Sequence, residues 1–186
     1  MHGLPVRRSV RLRGHDYRSV GAYFLTICTR NRERLLGSVV SDNIVLSPIG
    51  EVVAAAWHAI PRHFPTVELG AFIVMPNHVH GILAITAPRR GTACRAPTGG
   101  FGRPVPGSIP TVVRSFKSAA TRAVNLSRGT PGFTLWQRGY YEHVIRGPIE
   151  LNRLRRYIEE NPLRWALDEE NLDRPPSPVP LTADAA

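Results

Sequence analysis

Cysteine, lysine and acidic residues are all scarce in this sequence, and no apolar run is long. Only Cys28 and Cys94 are present, one in an apolar strand-like run and the other in a Gly/Pro loop. A disulfide framework is therefore not expected, and a reducing cytoplasm fits best. The longest apolar stretches, such as Ile44 to Leu46 and Val52 to Trp57, are far too short to span a bilayer. Met1 to Arg13 is basic but lacks an apolar h-region, so no secretory signal is expected. Against 14 Asp+Glu stand 24 Lys+Arg, a formal net charge of +10. Lys117 is the single lysine, so arginine carries the excess, and its planar fork suits phosphates and the faces of bases. A GC-rich genome explains arginine in place of lysine but not the net charge. The excess points to an anionic partner, nucleic acid before membrane, because no amphipathic lipid-binding helix stands out.

At 186 residues the chain is expected to be one domain with tails. Residues 1–20 form a basic arm carrying Arg7, Arg8, Arg11, Arg13 and Arg18. Ala22 to Thr29 is β-branched and aromatic, a central strand. Ser38 to Leu46 reads as a hairpin turning at Asp42-Asn43. Ser47-Pro48 starts a helix expected from about Ile49 to Ile60, ended by Pro61. Val67 to Val74 and His78 to Ile85 are two strands joined tightly through Met75-Pro76-Asn77.

Ala87 to Gly107, rich in Gly, Pro, Ala and Arg, is expected to be a flexible insertion. Ser108 can cap a helix to about Asn125, with Ile109, Val113, Phe116, Ala120 and Ala123 on one face. Leu135 to Arg146 contains a last strand, and a helix from Pro148 runs to Asn161 before Pro162. Residues 21–166 thus make the domain, and 167–186, acidic and then Pro-rich, are expected to be a disordered tail. The order is that of an α+β, ferredoxin-like antiparallel sheet. Helices cover one face, with an extra N-terminal hairpin and a C-terminal helix left for the other.

Two local patterns carry chemistry. In His78-Val79-His80 alternate residues of a strand point the same way, so both imidazoles project together as half of a divalent-metal site. Taken alone, the triplet fits a pair of core or surface histidines at least as well. In the last helix, Tyr157 and Asn161 are four apart and share a face beside the apolar stripe of Leu151, Leu154 and Ile158. Separately, each has an ordinary explanation as packing or helix termination. If that helix lies on the open sheet face, His78, His80 and the Asn161 side-chain oxygen could hold one cation beside Tyr157. Phenol is a poor nucleophile at neutral pH, and a cation that neutralises phosphate charge makes its attack workable. Imidazole and carbonyl donors suit Mn²⁺ or Mg²⁺ better than structural zinc.

The stretches Phe72 to Gly81 (FIVMPNHVHG), Phe116-Lys117-Ser118, Leu135 to Arg146 (LWQRGYYEHVIR) and Arg156 to Pro162 (RYIEENP) resemble the REP-associated tyrosine transposases. These are one-tyrosine HUH endonucleases, the group that includes single-strand insertion-sequence transposases. Arg7 to Gly14 and Gly21 to Thr29 look like that branch too, so the likeness spans roughly residues 7–166 in the family's order. It implies that His78 and His80 are metal ligands, that Tyr157 is the nucleophile and that Asn161 completes the metal shell. It also implies a transesterification on single-stranded DNA, at hairpin-forming repeats, through a 5′-phosphotyrosine. A bacterial, nucleoid-associated activity with Mg²⁺ or Mn²⁺ follows, in a chain more readily monomeric than dimeric.

Further residues are DNA-binding candidates: Arg7, Arg8, Arg11 and Arg13 on the arm, Arg114, Lys117 and Arg122 on one helix, and Trp136 and Tyr140 as stacking rings. Tyr140 and Tyr141 are rival nucleophiles, for which the strand context favours packing or stacking. His143 reads as structural or near DNA. Three other functions remain open on the sequence. They are a domesticated host protein of the same fold, a non-catalytic nucleic-acid-binding module, and a metallonuclease that uses water and needs no Tyr157.

Overall fold

The computed structural model describes residues 19–86, 107–168 and 170–173. In chain order the elements are β1 (Gly21–Cys28), β2 (Gly37–Val40), β3 (Asn43–Leu46), α1 (Pro48–His58), α2 (Ile60–His63), β4 (Val67–Val74), β5 (His78–Ile85), α3 (Ile109–Arg128), β6 (Tyr141–Ile145) and α4 (Pro148–Glu159). A 3-10 helix, Pro162–Leu167, follows. Four strands pair in the order β4-β5-β1-β6, every neighbour antiparallel. With α1 and α3 as the connections between strands, this is the ferredoxin-like α+β arrangement, and β2–β3 is the extra hairpin.

The pleat divides the molecule into two cores. Tyr23, Leu25 and Ile27 point to one face, where Val53 and Trp57 of α1 and Val112 and Phe116 of α3 cover them. Phe24 points the other way, and with Ile82 and Ile145 it forms a smaller cluster sealed by Ile158 of α4, with Leu151 and Leu154 beside it. The stripe expected on the last helix is therefore the one that docks it. Its placement on the face opposite α1 and α3 leaves β1 and β5 buried on both sides, and six consecutive residues of β1 are buried.

Several boundaries differ from the expected ones for local reasons. The hairpin turns at Ser41-Asp42, not Asp42-Asn43, with both residues left-handed (φ 47 and 61). A two-residue loop of this twist matches the strands it joins. α1 begins after Ser47, whose hydroxyl accepts from the Gly50 amide at 3.1 Å, and it ends at His58. Pro61 does not stop the helical path outright, because it sits in the first turn of the short α2, where no amide partner is needed. α3 continues to Arg128 and is closed by Gly129 at φ 62. On α3, Val112 and Val124 are buried while Ala123 is exposed, so the buried face is turned slightly from the expected one.

Asn161 does not belong to α4. It follows the cap residue Glu160 and opens the 3-10 helix. No helix among the described residues is long and apolar enough to cross a membrane. The arm and insertion, with Cys94, and residues beyond 173 lie outside the described residues.

Gly81 sets how closely the larger core can approach the sheet. It lies on β5 between His80 and Ile82, and a Cβ placed there would run into the six-membered ring of Trp57, whose indole stacks on Phe72 at 4.6 Å. Gly81→Ala should therefore cost about 1–3 kcal/mol through overpacking. Chemical denaturation of the two proteins checks this, and an unchanged midpoint would show that Trp57 can move aside freely.

Candidate metal and tyrosine site

His78 and His80 are on the α4 side of β5, opposite Cys28 and Thr26 of β1 in the strand register. Both are buried, at 0 % and 3 % exposure. Their Nε2 atoms face each other at 3.0 Å. Each ring is held from behind: the Asn77 side-chain oxygen lies 2.9 Å from His78 Nδ1, and the Thr26 hydroxyl lies 3.0 Å from His80 Nδ1. The Asn77 amide nitrogen donates to the carbonyls of Arg32 (3.2 Å) and Glu170 (2.7 Å). Its oxygen must then be the atom facing His78, which puts the His78 proton on Nδ1 and leaves Nε2 a bare lone pair. A lone pair aimed at the second ring is one that a shared cation would satisfy.

Burial, with Arg32 adding, lowers the His78 pKa to about 3. His80 is also held well below the ordinary value, by burial first and His78 second, against an opposing pull from Asp168. Both rings are accordingly neutral, the form that ligates.

Asp168 is the third member of the cluster, and ligand atoms of His78, His80 and Asp168 all lie within 4.8 Å of one another. Its carboxylate accepts from the Glu170 amide at 2.7 Å and from the Asn161 side-chain nitrogen at 3.2 Å. Asn161 is 1 % exposed, and its Oδ1 is buried with no hydrogen-bond partner. A bare buried carbonyl is costly, so an acceptor in this position fits a cation. Two imidazoles and a carboxylate that converge in this way could hold a divalent cation.

Tyr157 reaches the cluster from α4. Its hydroxyl lies 3.4 Å from His80 Nε2, and its ring stands edge-on to His80 at 5.2 Å between centroids. At 37 % exposure it faces an open cleft of about 970 Å³, whose walls include Phe24, Tyr141, Arg153, Arg156 and Arg164. The cleft-lining Tyr140 binds Glu142 through its hydroxyl at 2.8 Å.

Asp168 and the segment that carries it have no local signature in the sequence. Residues 168 and 170–173, expected to belong to a disordered tail, pack against the site. Glu170 pairs with Arg32 at 2.9 Å, and the Cys28 thiol donates to the Glu170 carboxylate at 3.5 Å. Arg34 donates to the Asn171 side-chain oxygen at 2.7 Å and pairs with Asp173. An acidic, aperiodic run gives no sign of such anchors when its arginine partners are more than a hundred residues away.

Other candidates fall elsewhere. α3 covers the opposite face, so Arg114, Lys117 and Arg122 are not brought to the metal cluster. Arg114 and Arg122 line a shallow groove on that side. The Lys117 ammonium is turned onto the carbonyls of Gln137 (2.7 Å) and Gly139 (3.0 Å), and burial lowers its pKa. Trp136, expected as a stacking ring, is 5 % exposed and packed against Phe116, because its bridge to Thr29 draws it into the core. His143 is paired with Glu150 at 2.8 Å. Arg7, Arg8, Arg11 and Arg13 lie outside the described residues.

No family model matches the chain. A Haemophilus influenzae protein described as uncharacterized is 36 % identical over 179 residues, covering 92 % of this chain and 96 % of its own length. Among solved structures, the REP-associated tyrosine transposase bound to a REP hairpin superposes with a TM-score of 0.53 at 22 % identity, covering 88 % of this chain and 74 % of that one. At that identity the likeness is one of fold. The chain belongs to the same family as the Haemophilus influenzae protein, and it has a transposase-like fold.

Proposed function

We propose that the protein is a metal-dependent single-strand DNA endonuclease and transposase whose nucleophile is Tyr157. The observation that carries this reading is the Tyr157 hydroxyl, 3.4 Å from an imidazole of a buried His-His-Asp cluster. The REP hairpin held by the fold neighbour and the arginine excess of this chain favour DNA as the substrate.

His78, His80, Asp168 and Asn161 Oδ1 would hold the cation, which when bound polarises the scissile phosphate and offsets its charge. Tyr157 attacks phosphorus, a tyrosyl O–P bond forms and the P–O3′ bond breaks. Its proton leaves to water at the open mouth of the cleft, and the departing O3′ takes one up. The products are a 5′-phosphotyrosine and a free 3′-OH. One phosphodiester replaces another, so the step can be reversed by this or another 3′-OH without ATP. Arg153, Arg156 and Arg164 on the cleft walls give the strand's phosphates counter-charge. α4 packs on its own sheet and brings Tyr157 to His80, so the proposed unit is a monomer that completes its own site. Hairpin-forming repeats are the proposed targets, bound with help from the basic arm.

The test is labelled single-stranded DNA carrying the hairpins that flank the gene, incubated with Mn²⁺ or Mg²⁺. A denaturant-stable protein–DNA adduct is expected that requires the metal and is lost in Tyr157→Phe and His78→Ala. Cleavage that survives Tyr157→Phe without an adduct would make the protein a water-using metallonuclease. Binding without cleavage under any metal would leave a binding module.

Asn77 offers a second check that does not depend on DNA. Asn77→Ala removes the acceptor that orients His78 and should weaken Mn²⁺ binding by about 10–100-fold. The paramagnetic resonance signal of free Mn²⁺ measures this. An affinity equal to that of the unaltered protein would exclude Asn77 as the orienting group.

A further inference from the structure

The cleft continues beyond Tyr157 to β6, the edge strand of the sheet, and neither the cation cluster nor the attacking hydroxyl accounts for that part of it. Tyr141 is opposite Thr26 in the β1–β6 register, so it stands on the same face as Thr26 and His80. Its ring meets Phe24 edge-on, at 6.4 Å between centroids and 70°. Tyr157 meets the same Phe24 ring in the same manner, at 6.0 Å and 70°. Phe24 is thus a shared wall with a tyrosine at each side, one beside His80 and the other at the sheet edge. Tyr141 is 40 % exposed, a large apolar surface left to water inside a concave site. Arg153 and Arg156 lie on the α4 wall of the same cleft. The Arg153 side chain is 77 % exposed and only 3.8 Å from the Glu150 carboxylate at its nearest approach, so it can turn toward a phosphate.

An aromatic face beside guanidinium groups, in a groove open along its length, is the combination that binds a single strand. Bases stack on the ring while the cations follow the backbone. Resting on the reading of the protein as a single-strand endonuclease, we propose that this extension is a nucleobase site. Tyr141 stacks one base adjacent to the scissile phosphate, and Arg153 and Arg156 pair with the flanking phosphates. Tyr141 is then a positioning residue, which fixes the strand so that the phosphate one nucleotide away reaches Tyr157. Stacking accepts any base, so the site holds the strand in place without selecting its sequence.

The experiment measures, by fluorescence anisotropy, the binding of labelled hexathymidylate and of an abasic oligomer of the same length and charge. The full-length protein is compared with Tyr141→Phe, Tyr141→Leu and Tyr141→Ala. Stacking predicts that Tyr141→Ala and Tyr141→Leu weaken hexathymidylate binding about tenfold, that Tyr141→Phe stays close to the original, and that abasic binding is the same in all four. Tyr141→Leu keeps apolar contact with Phe24, and Mn²⁺ affinity unchanged in every variant shows that the site is intact. Equal hexathymidylate affinity in all four proteins, or equal losses for both oligomers, would overturn the nucleobase site while leaving the tyrosine endonuclease standing. If the unaltered protein binds neither oligomer, the endonuclease reading fails together with the site.

Discussion

Two neutral imidazoles meet Nε2 to Nε2 at 3.0 Å between a sheet and a helix, and much of the surrounding structure keeps them so. Burial removes the option of charging either ring. Asn77 and Thr26 take up the Nδ1 atoms, so the remaining lone-pair capacity is directed inward. A buried acceptor lone pair left unsatisfied is unfavourable, and the nearby Asp168 carboxylate supplies charge that favours a cation. The pair is therefore a constraint on the fold as well as a site. α4 has to seal it, and the chain after α4 has to complete it.

Asn77 links those two requirements. Its oxygen orients His78, while its nitrogen binds the carbonyls of Arg32, on the segment after β1, and Glu170, on the C-terminal segment. Three distant parts of the chain are tied at one side chain. The ion pair of Arg32 with Glu170 and the bond from Arg34 to Asn171 add to the same clasp. Such partly buried, bidirectional networks hold ligands more stiffly than isolated surface pairs can. Asp168 is delivered to the cluster by this clasp and by the 3-10 helix before it, not by regular secondary structure.

α4 does two jobs with two faces. Leu151, Leu154 and Ile158 anchor it in the smaller core, and Tyr157, next to Ile158 in sequence, is rotated about 100° around the helix, to the boundary where its ring is half in the cleft. In the proposed reaction that exposure lets the hydroxyl reach a polymer strand. The neighbouring cluster remains buried, where electrostatic interactions are least screened. The smaller core thus sets the distance between the tyrosine and the imidazoles.

Sequence alone determined the elements whose signal is local. Apolar, β-branched and aromatic runs marked β1, β4 and β5, the Leu151-Leu154-Ile158 stripe marked the docking face of α4, and His-Val-His on a strand ensured that both imidazoles share a face. The ferredoxin-like fold followed from the order of strands and helices, and the closeness of Tyr157 to the histidines followed once α4 was placed on the open face of the sheet. Tertiary structure decided what depended on contacts between distant segments. Trp136 looked like a free ring and is core, because Thr29 pairs with it. Lys117 looked like a phosphate contact and instead binds two loop carbonyls. Asp168 and residues 170–173 looked like part of a tail and close the site, because Arg32, Arg34 and Asn77 are folded next to them. Periodicity reports which way a residue points within its own element, but it carries no information about what a distant segment brings to meet it.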